Sequence, residues 1–80
     1  MMFKIGQIVK SKAGHDKEDF QVVKELDPPY LILCDGRRRS LEKPKRKKEI
    51  HVSPTNTVID PIQLKTNRQI RAAIRAFLGG

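Results

Sequence analysis

The longest uninterrupted apolar run in the chain covers residues 30–34, and turn-forming residues close it at both ends. An Asp-Pro-Pro segment at 27–29 precedes the run, and Asp35-Gly36 follows it. The run is far shorter than the roughly 20 apolar residues that a transmembrane helix needs. Its length and flanking residues are those of a buried strand. We therefore predict that residues 30–34 form the most buried strand of a sheet and that the chain has no transmembrane helix.

Two further segments have the pattern of strands on the N-terminal side of this run. Residues 3–11 largely alternate between apolar and polar side chains, which is typical of a strand with one buried face. Gly6 within them indicates a bend or a bulge. Residues 20–26 are rich in strand formers. We expect two strands separated by a polar loop at 12–19.

The Asp35-Gly36 pair is a strong hairpin signal, because glycine adopts the positive φ that such a turn requires. We expect residues 37–43 to run back antiparallel to the buried strand. Residues 44–48 begin with a proline and consist otherwise of Lys and Arg. They are expected to project as a polar excursion.

The C-terminal part of the chain predicts an edge strand and then a helix. Residues 50–52 and 57–59, interrupted by Ser53-Pro54, are expected to supply a short fifth element that closes a small barrel. Thr66 and Gln69 have the spacing of a capping box. Apolar residues then recur at helical spacing, with Gly79 as a terminator. The expected apolar stripe, which should dock on the barrel, is Ile70, Ala73, Ile74, Phe77 and Leu78.

Positive charge is concentrated in residues 37–48, which hold eight Lys or Arg against one acid, Glu42. The local charge of +7 is nearly the whole net charge of +8. Such a block attracts polyphosphates, because each neutralised phosphate releases condensed counterions. We therefore expect it to bind nucleic acid phosphates and not to act only as a solvated surface. The candidate contacts are Arg37, Arg38, Arg39, Lys43, Lys45, Arg46, Lys47 and Lys48.

Two other segments add candidate phosphate contacts. The loop at 12–19 contains Lys12, Gly14, His15 and Lys17. Backbone amides around Gly14 could approach a phosphate, although an ordinary connecting loop explains the glycine equally well. The predicted helix carries secondary candidates at spacings of three and four residues, where like charges repel one another and an anionic partner would relieve the repulsion. These are Arg68, Arg71 and Arg75.

Catalysis and metal binding are not predicted. A chain of 80 residues supports one small core and leaves little room for a deep catalytic cleft. His15, His51 and Cys34 are too few and too scattered for a zinc site. Cys34 is the single cysteine, so no intramolecular disulfide is possible, and a cytoplasmic location is expected. We expect no cofactor and no small-molecule substrate.

Aromatic residues are few, and each lies on a predicted apolar face. We expect all of them in the core, which argues against a protein that stacks bases on exposed rings. Recognition of folded RNA by shape and backbone fits this pattern better. The four aromatic residues are Phe3, Phe20, Tyr30 and Phe77.

Several short segments resemble a known family. Residues 5–16, IGQIVKSKAGHD, and residues 20–23, FQVV, resemble the opening of a KOW domain. The segments CDGR at 34–37 and LEKPKRKK at 41–48 are similar to the small bacterial relatives of the KOW-containing large-subunit ribosomal proteins of archaea and eukaryotes. The resemblance implies an SH3-like barrel of about five strands that binds structured RNA, typically ribosomal RNA, through its loops and basic edge.

The sequence therefore predicts a mainly β protein in which residues 1–60 form an SH3-like KOW barrel and residues 61–80 form a linker and a C-terminal α-helix. Its expected function is non-catalytic binding of structured RNA, ribosomal or ribosome-associated, with ribosomal proteins as further partners. The alternative is a protein-interaction adaptor that docks on a ribosomal or transcription-complex protein. Duplex DNA is disfavoured, because no helix presents an obvious set of base-reading residues. No membrane partner is expected.

Overall fold

The structure, a computed structural model, describes residues 2–14 and 17–79. Within these residues the chain forms a mainly β fold with an antiparallel sheet of five strands and a C-terminal helix. The strands are β1 (Gln7–Ser11), β2 (Phe20–Asp27), β3 (Tyr30–Cys34), β4 (Lys45–Lys48) and β5 (Val52–Val58), and the helix is α1 (Asn67–Phe77). Short 3-10 turns cover Glu49–His51 and Pro61–Gln63.

The strand order in the sheet is β4-β3-β2-β1-β5, so β4 and β5 lie at its two edges. The predicted strands at 20–26 and 30–34 are confirmed as β2 and β3, and their register pairs Val23 with Leu33 and Asp27 with Tyr30. The sheet is not closed into a barrel within the described residues, because no ladder joins β4 to β5. The described residues thus form the predicted number of strands, arranged in an open antiparallel sheet.

The first strand is shorter than the alternation at 3–11 predicts, and the bend expected at Gly6 explains the difference. Gly6 has a φ of 90°, and the Gln7 amide donates a hydrogen bond to the Lys4 carbonyl oxygen at 3.1 Å, which closes a turn before β1 begins. Gly6 also lies against the chain beyond β5. A methyl group added at this position would be 2.1 Å from the Ile59 carbonyl oxygen, so only glycine fits this approach.

The prediction that residues 37–43 form the returning strand was wrong. In the structure β4 begins at Lys45 and pairs with β3 from Leu33 to Tyr30. Residues 37–43 are instead a loop, because Asp35 binds their backbone locally: its Oδ1 atom accepts hydrogen bonds from the amides of Arg37 and Arg39 at 2.8 and 3.0 Å. The Asp35 amide in turn donates to the Arg39 carbonyl oxygen at 2.8 Å. These bonds occupy groups that a ladder would need.

The polar excursion expected at 44–48 was also wrong, since Lys45–Lys48 is β4 itself. The fifth element is longer than expected, because β5 runs through Ser53-Pro54 without interruption. Pro54 lies opposite Val9 on an edge strand, where the lack of an amide proton can be tolerated. His51 belongs to the 3-10 turn before β5 and not to the strand.

Apolar side chains are buried on both faces of the sheet. One face carries a cluster made of Phe3, Val9, Val23, Leu31, Leu33 and Val52. On the other face, the register aligns Ile8 with Val22 and Val22 with Cys34, and this row packs against Ile70 of α1. The helix therefore covers a second core on the opposite side of the sheet.

The helix begins as the capping box predicts. The Gln69 amide donates to the Thr66 hydroxyl at 3.1 Å, and the Thr66 amide donates to the Gln69 side chain at 3.1 Å. Ile70 is buried, and Ile74 and Phe77 pack on the second core, as expected for the apolar stripe. Leu78 departs from that expectation, since 59% of it is exposed.

Replacing Ile70 by alanine tests the second core. Ile70 is 2% exposed, so Ile70→Ala should reduce the free energy of unfolding by about 2–5 kcal/mol through lost burial and a residual cavity. The matched control is Ile62→Ala, because Ile62 is 61% exposed and its truncation should change stability by no more than about 0.5 kcal/mol. Urea unfolding of both variants provides the measurement, and equal losses would contradict the assigned packing of α1.

Candidate nucleic-acid interface

The cations of residues 37–48 are divided among different surfaces instead of forming one. Arg37 and Arg38 are exposed in the loop after β3. On β4, side chains alternate between the two faces of the sheet: Arg46 and Lys48 are exposed, whereas Lys47 is buried. The basic block thus separates into a loop part and a strand part with different surroundings.

The loop part meets the helix at a groove of about 540 Å³. Four arginines line it, Arg37 and Arg38 from the loop and Arg71 and Arg75 from α1. The primary block and the secondary helix candidates, which are far apart in the sequence, therefore share one site. Arg68 is exposed on the same helix but does not line the groove. The remaining lining residues are Phe20, Ile74, Leu78, Asp19 and Asp35.

Gly36 fixes the position of the loop against α1. It has a φ of 81°, and a methyl group at this position would lie 2.4 Å from the Asn67 carbonyl oxygen and 2.9 Å from Arg71 Cγ. The Arg71 guanidinium also donates to the Gly36 carbonyl oxygen at 2.7 Å. The loop backbone and the helix are therefore in direct contact, which only glycine allows at this distance.

Asn67 makes a second connection between the helix and the loop. Its side-chain oxygen accepts a hydrogen bond from the Leu41 amide at 2.8 Å, and its side-chain nitrogen donates to Glu42 Oε1 at 2.9 Å. This bond from Asn67 holds the pKa of Glu42 below its ordinary value. The single acid of the basic block is thus bound at the start of α1 and is not among the groove residues.

In the strand part of the block, Arg46 and Lys48 lie beside Tyr30, the first residue of β3. The Arg46 guanidinium carbon lies 3.7 Å from the centre of the Tyr30 ring, and Arg46 Nε is 3.4 Å from Asp27 Oδ2. Lys48 Nζ is 6.0 Å from the same ring centre. Tyr30 is half-buried instead of fully in the core as expected. The charge of Arg46 already has a carboxylate and an aromatic partner here.

Lys47 has surroundings that the sequence did not predict. It is 9% exposed, and its ammonium donates hydrogen bonds to the Ser11 hydroxyl and, at 2.8 Å, to the Ala13 carbonyl oxygen. A methyl group at Gly14 would lie 3.9 Å from Lys47 Nζ. Lys47 therefore holds the end of β1 and the start of the following loop, and its ammonium is occupied inside the protein.

The loop between β1 and β2 carries the other predicted phosphate contacts. Lys12, Gly14 and Lys17 are exposed, and Gly14 has a φ of 80°. His15 lies outside the described residues. Within the loop, Glu18 forms an ion pair with Lys10 at 2.7 Å, and the hydrogen bond from Lys10 lowers the pKa of Glu18. These exposed groups do not line the groove beside α1.

The other cations of the basic block contribute less to the groove. Lys43 is exposed, whereas Arg39 and Lys45 are half-buried, and none of the three lines it. Sequence reasoning missed the apolar members of the site, Phe20, Ile74 and Leu78. For Ile74 and Leu78 the available signal was their helical spacing from Arg71 and Arg75, whereas the strand position of Phe20 indicated burial and gave no signal for the site.

Residues 2–14 and 17–79 contain neither a candidate metal cluster nor a helix that could span a membrane. No group of three His, Cys, Asp or Glu side chains in this part of the chain could hold a metal ion. No helix in the same residues has the length and apolar character to cross a membrane. Cys34 is buried, its thiol lies 3.6 Å from the Ser40 carbonyl oxygen, and burial raises its pKa.

Comparison with known proteins leaves the family unassigned. No protein-family model matches the chain, and no curated protein matches it. The resemblance of residues 5–16 and 20–23 to a KOW domain therefore stays a prediction from the residues themselves.

Gly36→Ala tests whether the loop depends on its contact with α1. Gly79→Ala is the matched control, because Gly79 has a φ of 87° and no atom within 4 Å of an added methyl group. A left-handed backbone costs alanine about 1–2 kcal/mol at either position. At Gly36 the contacts with Asn67 and Arg71 add to this cost, so the free energy of unfolding should fall clearly further than in Gly79→Ala. Equal losses in urea unfolding would show that the loop does not pack on the helix.

Proposed function

We propose that the protein is a non-catalytic module that binds structured RNA, with the four-arginine groove as its principal phosphate contact. The observation that carries this proposal is that Arg37 and Arg38 meet Arg71 and Arg75 at one groove. Asp19 and Asp35 also line the groove, so four arginines against two acids leave it an excess of positive charge that an anion would neutralise. A polyphosphate supplies negative charges along its whole length and fits a protein with a net charge of +8.

The chemistry of arginine supports phosphate as the group recognised. A guanidinium is planar and presents several donors in a fixed fork, so it can bind two phosphate oxygens at once. Arg37, Arg38 and Arg75 form no ion pair with any other described residue. Their charges are consequently available to a ligand, in contrast to Arg46, which lies 3.4 Å from Asp27.

The fold supports a KOW-type module as the finer assignment. The five antiparallel strands, with β5 returning beside β1, are consistent with an opened SH3-like barrel. The resemblance of residues 5–16 to the opening of a KOW domain adds a ribosomal or ribosome-associated RNA as the proposed partner, with ribosomal proteins beside it. In this assignment the exposed Lys12 and Lys17 contact the same RNA at a second place.

An adaptor that docks on an acidic protein surface is the second candidate, because the same unpaired arginines would attract carboxylates. Apolar side chains at another surface also favour a protein contact, since Val58 and Ile62 are 48% and 61% exposed. Nuclease treatment separates the two functions. Partners that stay bound to the protein after RNA is digested would favour the adaptor.

Arg75→Gln tests the groove as a phosphate site, with Arg68→Gln as its matched control. Both positions are exposed on α1 and both changes remove one charge, but only Arg75 lines the groove. Arg75→Gln should weaken binding to a folded RNA hairpin about tenfold, and it should reduce the slope of log affinity against log salt by about 0.7–0.9. Arg68→Gln should have a clearly smaller effect on both quantities.

Fluorescence anisotropy with a labelled hairpin between about 50 and 200 mM salt gives both affinity and slope. An affinity that does not change with salt would contradict phosphate binding altogether. Equal effects of the two substitutions would mean that overall charge, and not the groove, governs binding.

A further inference from the structure

The floor of the four-arginine groove is apolar, which simple phosphate binding does not require. Ile74 and Leu78 line it from the helix side, and Phe20 lines it from β2. Leu78 is 59% exposed, although its place in the helical pattern predicts that it docks on the sheet. A ligand that only neutralised the arginines would leave this apolar surface in water.

Phe20 contributes an aromatic ring to the apolar floor of the groove, and packing on Phe77 fixes the orientation of this ring. Its ring packs on Phe77 with ring centres 5.3 Å apart and planes tilted by 56°. The ring is half-buried, and Lys10 Nζ lies 5.7 Å from its centre. The prediction that Phe20 lies in the core is thus met only in part: the side chain packs against the second core and on Phe77, and it also lines the groove. Partly exposed rings of this kind are the surfaces on which unpaired bases stack.

The dimensions of the groove favour one nucleotide over a duplex. A volume of about 540 Å³ falls in the range of about 300–1,000 Å³ that small-ligand sites occupy. The bases of a duplex are stacked inside the helix and cannot enter such a site, whereas an unpaired base can be turned outward. Arginines beside an apolar floor match a nucleotide, because guanidinium groups bind its phosphates and also stack on its base.

We infer that the groove takes one unpaired nucleotide of a folded RNA, with its base over Phe20 and Leu78 and its flanking phosphates on Arg37, Arg38 and Arg75. The inference rests on the proposed function and narrows it to RNA that has a bulge or an internal loop beside a duplex. Arg71 has a positioning role in this site, because its guanidinium donates to the Gly36 carbonyl oxygen and so holds the two walls together.

Three labelled RNA hairpins with the same stem test the inference. One is fully paired, one has a single unpaired nucleotide, and one has an abasic nucleotide at that position, which keeps the phosphate but lacks the base. The bulged hairpin should bind about tenfold more tightly than the paired hairpin, because base stacking contributes an effect of this order. The abasic hairpin should bind with nearly the affinity of the paired one.

Leu78→Ser provides a protein variant for the same measurement, with Ile62→Ser as its control. Both residues are exposed, at 59% and 61%, so neither change should unfold the protein, and circular dichroism checks this. Leu78→Ser should weaken binding of the bulged hairpin at least threefold more than it weakens binding of the paired hairpin. Ile62→Ser should preserve the preference.

The outcomes distinguish this inference from the proposed function. Equal affinities for the three RNAs would overturn the nucleotide site while leaving phosphate binding intact. Equal affinities for the bulged and abasic hairpins would also overturn it, because the groove would then recognise only the backbone. Failure to bind any of the three would overturn the proposed function as well. Binding of an acidic amphipathic peptide that Arg75→Gln abolishes, without RNA binding, would assign the groove to a protein partner and overturn both.

Discussion

The contact between Gly36 and the first turns of α1 determines where the arginines of the groove lie. Asn67 and Arg71 approach the glycine backbone so closely that a methyl group would meet them at 2.4 and 2.9 Å. The loop after β3 is therefore held under the helix, and its arginines face those of α1. The hydrogen bonds of Asp35 and Asn67 also hold this loop, and the contact at Gly36 fixes its position beside α1.

The sheet makes this contact possible because it buries apolar side chains on both faces. One face contains the core around Val9, Val23 and Leu33, and Ile70 packs against the other face. Helix docking on the second face brings Arg71 and Arg75 beside the loop. The free energy of apolar burial thus opposes the repulsion among like charges, which a partner with negative charge would remove.

Elements with a strong local pattern could be predicted, whereas features set by competing side-chain hydrogen bonds or by helix docking could not. The strands β2 and β3 and the capping box of α1 depend on neighbouring residues and were predicted correctly. The position of β4 was not, because Asp35 binds the amides of Arg37 and Arg39 and so displaces the strand to Lys45. The Asp-Gly pair predicted a tight hairpin turn. This pattern does not indicate that the Asp35 side chain would bind the amides that the hairpin ladder needs.

The candidate site was predicted in its residue types but not in its arrangement. Eight cations in residues 37–48 indicated phosphate binding, yet only Arg37 and Arg38 of that block line the groove. Lys47 is buried because β4 alternates and places it opposite the buried Leu31. The pairing of the loop with Arg71 and Arg75 depends on how α1 docks, and no local pattern carries that information. The resemblance to KOW domains indicated RNA but did not indicate this groove.

Side-chain NMR of the arginines tests the central claim that the groove beside α1 is the RNA contact. Each arginine has its own Nε–Hε signal, which responds to a phosphate or base placed nearby. Addition of a bulged RNA hairpin should shift the signals of Arg37, Arg38 and Arg75 most. The signal of Arg71 should show the next largest shift. The signals of Arg46 and Arg68 should change least. Largest shifts at Arg46 and Arg68, or equal shifts at every arginine, would contradict the account.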